Sequence, residues 1–64
     1  MTQKELLYVE DAIGHEQNII SIVTETINNL EDKKLKDFMK KKLNEHIAFK
    51  VELIGLLEDN TNEW

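Results

Sequence analysis

The chain has 64 residues, 41% hydrophobic and 33% charged, with thirteen acids against eight lysines and a formal net charge of −5. That length allows one small domain, and the absence of cysteine excludes a disulfide or a thiolate metal site, leaving a partner chain or another kind of metal site as reinforcement. The acidic balance argues against nucleic acid as the main partner, and no apolar run approaches the ~20 residues needed to cross a bilayer.

The opening MTQKELLYVED lacks a basic stretch followed by an apolar core, so no secretory signal is expected, and synthesis is expected in the cytoplasm. Proline is absent, glycine occurs twice, and strong helix formers dominate, which predicts an all-α chain. The first helix is predicted over about 3–30. Thr2 followed by Glu5 has the spacing of a capping box, in which each side chain satisfies a backbone N–H at the helix start. Leu6, Ile13, Ile20 and Ile27 then form one row at heptad spacing, and Val9, Val23 and Leu30 a second. Glu16 fills the vacant place in that second row. Such rows describe a helix packed along its length against others at a shallow angle.

Asn28 and Asn29 weaken the helix end, and Asp32 suits the N-cap of a new helix, so a turn is predicted at about 31–32. The second helix is predicted over about 33–58. Its centre line is Leu35, Met39, His46, Leu53 and Leu57, flanked by Phe38, Phe49 and Leu56 on one side and by Leu43, Ile47 and Ile54 on the other. A band that wide fits a helix touching more than one neighbour. Residues 59–64 read as a frayed polar tail, with Trp64 loose or docked.

A short connection between long helices makes an antiparallel hairpin. Two helices alone enclose no core, so the economical completion is a homodimer forming a four-helix bundle; a lone hairpin would expose a large apolar patch.

Counted from the turn, Glu16 lies about fifteen residues before it and His46 about fifteen after. At ~1.5 Å of rise per residue, equal distances give equal heights. Both residues sit on the centre line of their own apolar face, so they are predicted to meet inside the hairpin. Three readings of that meeting stay open: a buried Glu–His pair that fixes register, a metal site completed by two Glu16 and two His46 across a dimer, or a split pair with one member turned to solvent.

A di-iron centre lacks ligands. Leu43 stands three residues before His46, where a Glu is required; Glu45 points away, and Glu10 is off the centre line. With no cysteine, no glycine-rich phosphate loop and no nucleophile elbow, an enzyme is not expected. On the outer face Tyr8, His15 and Ile22 lie seven residues apart, as scattered surface residues or as a ridge for further contact. Seven of the eight lysines fall between Lys33 and Lys50, but Lys40, Lys41 and Lys42 are consecutive and point around the helix. They read as a solvated surface, or as an adaptor face for an acidic partner.

The stretches TQKELLYVEDAIGHEQNII, with KELLYVEDAIGHEQ, Lys4 to Gln17, as the most specific part, and LEDKKLKDF followed by NEH resemble the spore coat protein F family, the Coat F domain of spore-forming Firmicutes. The resemblance spans Thr2 to about Leu57. It implies a ferritin-like helical fold, association with the spore coat or with sporulation, other coat proteins as partners, and no established reaction. Longer members of that family carry two such hairpins in tandem, so a single hairpin would dimerise to complete the bundle. Lys33 stands where many members have proline, and the second helix has lysine where relatives are often rich in glutamine and histidine. The latter difference removes candidate metal ligands. The expected function is therefore a non-enzymatic structural or assembly protein without a cofactor. The alternatives are a metal-binding bundle using Glu16 and His46 for storage, sensing or as a vestigial oxidase, and an adaptor for an acidic partner.

Overall fold

A computed structural model describes the backbone of residues 1–62 and the side chains of 1–59. The described residues form two helices, α1 (Gln3–Asn29) and α2 (Lys33–Asn62), and no strand. They make a helical hairpin 48 Å long and 14 by 11 Å across. A radius of gyration of 14.8 Å exceeds the ~11 Å of a compact domain of this length, so the molecule is a rod.

Local chemistry sets the ends. The Thr2 hydroxyl accepts from the Glu5 N–H at 3.0 Å, and the Glu5 carboxylate accepts from the Thr2 N–H at 2.7 Å, closing the capping box. The Thr2 backbone N–H first, and then the Thr2 hydroxyl, hydrogen-bond the Glu5 carboxyl and hold it below its ordinary value. Leu30 leaves the helical region (φ −84°, ψ 144°) and ends α1. Asp32 starts α2, its carboxylate accepting from the Leu35 N–H at 2.9 Å while its carbonyl accepts from Lys36. The connection is thus residues 30–32, one residue longer at its start than the sequence suggests.

The end of α2 departs further from expectation. The helix runs to Asn62, past the predicted end at about 58, so residues 59–62 are helical and not a frayed tail. No proline stops it, and extending a formed helix gains a hydrogen bond for each residue fixed. Trp64 lies outside the described residues.

The buried residues are Ile27, Leu53 and Glu16, at 8%, 9% and 8% exposure; the rest of both predicted rows is half-buried. Leu35, expected on the buried centre line of α2, is 44% exposed because it sits beside the turn, where no further layer covers it. No helix among the described residues is long and apolar enough to cross a membrane.

Candidate functional site

The heptad rows bring one polar contact into the seam. His46 Nδ1 lies 2.6 Å from Glu16 Oε2, linking residues thirty apart in sequence. The Glu16 side chain keeps 11% of its surface and that of His46 keeps 36%, so the carboxylate is enclosed while the ring reaches the edge of the seam. An ionised carboxylate only accepts, so with Glu16 charged the shared proton sits on Nδ1. Among the described residues, Glu16 has no other side-chain partner. The contact is therefore what satisfies a buried carboxylate, a group that would be costly to bury alone.

A second polar contact crosses the seam nearby: the Lys50 ammonium donates to Gln17 Oε1. Lys50 lies one turn beyond His46 and Gln17 next to Glu16, so both contacts sit at mid-hairpin. Sequence reading misses this one; the signal was a lysine one turn from a centre-line residue, with a stem long enough to reach across. Another missed feature lies on the opposite flank of α2. Lys42 sits 5.6 Å from the Phe38 ring centroid and 3.2 Å from Glu45, using the i,i+4 and i,i+3 spacings that place side chains together on a helix.

The outer residues stand where the periodicity puts them. Tyr8 and Ile22 are 60% and 64% exposed, and His15 is exposed between them. Leu35, Phe38, Phe49 and Leu56 are also open to solvent. An added Cβ at Gly14 or Gly55 would meet nothing within 4 Å, so neither glycine admits a close neighbour inside the hairpin.

Chemically, the pair offers one carboxylate and one imidazole, already engaged with each other. Among the described residues, no group of three or more His, Cys, Asp or Glu side chains is placed to hold a metal ion. No protein-family model, no curated protein and no solved structure matches this chain.

Proposed function

We propose that the protein is a non-enzymatic structural or assembly element. Its helices pair antiparallel, and two hairpins close into a ferritin-like four-helix bundle that serves in the spore coat or in sporulation. The observation that carries this reading is surface. The hairpin exposes 5048 Å², where a globular protein of 7.5 kDa exposes about 4,200 Å². The surplus of roughly 800 Å² is about what one partner contributes to a standard protein interface. Much of it is apolar: ten large hydrophobic residues are more than 40% exposed, and two are buried. Placement in the coat rests on the sequence resemblance of Lys4–Gln17.

A second reading draws on the Glu16–His46 contact. Two ligands per chain become four in a dimer, enough for a tetrahedral ion such as zinc. Sedimentation equilibrium with metal analysis of the same sample separates the two. A metal-free species of about 15 kDa, twice the chain mass, supports the structural bundle. A species of that mass holding one metal per two chains favours the second reading, and a monomer refutes both. Fractionation of spores tests the coat assignment: a protein found only in growing cells would refute it.

A further inference from the structure

The face that receives the second copy, and the way that copy lies on it, follow from three patterns. With Glu16 and His46 taken as the facing points, Tyr8, His15 and Ile22 lie roughly 80–120° round α1, and Phe38, Phe49 and Leu56 roughly 60–80° round α2, in the same rotational sense at ~100° per residue. Two right-handed helices running in opposite directions put rows of equal sense on one side of the hairpin. Five of these six are among the large exposed hydrophobics, and His15 is exposed too. The opposite side is crossed by the polar Lys50–Gln17 contact. One flank of the hairpin is therefore open and apolar on both helices, while the other is bridged and carries exposed large hydrophobics, Ile47 and Val51, on α2 alone.

The second pattern is symmetry. A two-fold interface joins a patch to itself, so the patch must match its own rotated image. Tyr8 and Ile22 lie seven residues either side of His15, and Phe38 and Leu56 nine residues either side of Ile47. His15 and Ile47 are each sixteen residues from the turn at Glu31, so the two midpoints stand at the same height. Turning a second hairpin end over end about an axis at that height lays Tyr8 against Ile22, His15 against His15, and Phe38 against Leu56 of the other copy.

The third pattern is charge. Between Gln17 and Glu45, six lysines stand against five acids; over the described remainder, Glu16 aside, two lysines stand against six acids. At the edge of the open face, α2 carries Lys34 and Lys41 toward the turn and Glu52 and Asp59 toward the far end. Among the described residues none of these four has an ion-pair partner. The same rotation sets Lys41 beside Glu52 and Lys34 beside Asp59 of the second copy, giving four opposite-charge pairs per dimer. A side-by-side arrangement with both turns at one end would instead bring Glu52 near Asp11. The area also suffices: a face of 48 by 14 Å is about 700 Å² per chain, or about 1,300 Å² for both, within the range of specific interfaces.

We infer that this face binds a second copy of the chain turned end over end, the two turns at opposite ends and the two-fold axis at His15. The inference rests on the dimer proposed above and specifies its orientation. Lys42 enters the interface already paired with Glu45 and stacked on Phe38, so it brings no unpaired charge there.

The native chain has no cysteine, which makes the test direct. Under mild oxidation His15→Cys should convert most chains to a disulfide-linked dimer, because a residue on the axis meets its own copy within bridging distance. Thr24→Cys, half a revolution round α1 from His15 and exposed on the opposite side, should stay reduced. Combined Lys34→Glu and Lys41→Glu should weaken dimerisation about tenfold, and adding Glu52→Lys and Asp59→Lys should restore it. A dimer in which His15→Cys stays reduced alone but cross-links to Phe49→Cys in a mixture of the two variants would overturn the orientation and leave the bundle standing. A monomeric wild-type protein would overturn both.

Discussion

Replacing His46 with leucine removes the partner of a carboxylate that stands at 11% side-chain exposure. Breaking a fully buried pair costs about 3–5 kcal/mol, because the remaining charge has lost its compensation. Here the ring is 36% exposed, so water reaches one edge of the contact and the expected cost falls to about 1–2 kcal/mol. A domain of this size holds only about 3–10 kcal/mol in total, so the loss is a large share. Replacing both residues, as Glu16→Leu with His46→Leu, removes the desolvated charge as well, and buried pairs exchanged for apolar side chains are often neutral or gain about 1–4 kcal/mol. The double variant should therefore unfold at higher urea than the single, and no lower than wild type. Urea denaturation followed by circular dichroism, at one fixed protein concentration, measures all three; the concentration matters because association adds to apparent stability. A harmless single substitution would refute the reasoning, and so would a double variant no better than the single. Either would mean that the carboxylate is hydrated in solution and needs no partner.

Gly14→Ala should stabilise the protein by about 0.5–1 kcal/mol, since the new methyl group meets nothing within 4 Å and the unfolded chain loses freedom; a destabilised variant would reveal a close neighbour at that face. Asp32→Ala should cost about 1 kcal/mol through loss of the cap on the Leu35 N–H, with Asp32→Ser recovering most of it, as thermal melts would register. Glu5 supplies a pH dependence confined to the start of α1. Its folded pKa is lowered, so the stabilisation is present above the unfolded glutamate value and disappears as pH falls through the lowered one. Amide exchange in the first turn should quicken across that acid window. Glu5→Gln, which keeps the box without the charge, should abolish the dependence, and an unchanged profile in that variant would assign it to another group.

The contact at mid-hairpin was legible by counting, because a short connection ties height to distance from the turn. Glu16 and His46 are each about fifteen residues from it, and they touch. Gln17 and Lys50 were not legible in that way, being five residues, or about 7.5 Å, out of level; the lysine stem closes that gap. Periodicity likewise places Leu35 on the inner line of α2, but a period carries no information about where the layers stop, and beside the turn they have stopped. The far end of α2 was hidden for a related reason: polar residues mark a helix surface as well as a helix end, and no proline distinguishes the two here.

A polar pair in so small a seam contributes little net stability, yet it constrains register. Sliding α2 by three residues sets Glu16 opposite Leu43 or Phe49, and His46 opposite Ile13 or Ile19. Each orphaned group then costs about 1–3 kcal/mol. The native register is also the one that levels His15 with Ile47, and so aligns the two symmetric rows of the outer face. A hairpin slipped by one turn would offset the rows by about 5.4 Å and lose one of them at any two-fold contact. The inner pair and the outer face are thus coupled through register, which separates stability from assembly. The double leucine variant should be at least as stable as wild type, yet dimerise less uniformly, giving a lower yield of the His15→Cys cross-link in that background. An undiminished yield would show that the three-residue connection holds the register without help from Glu16 and His46.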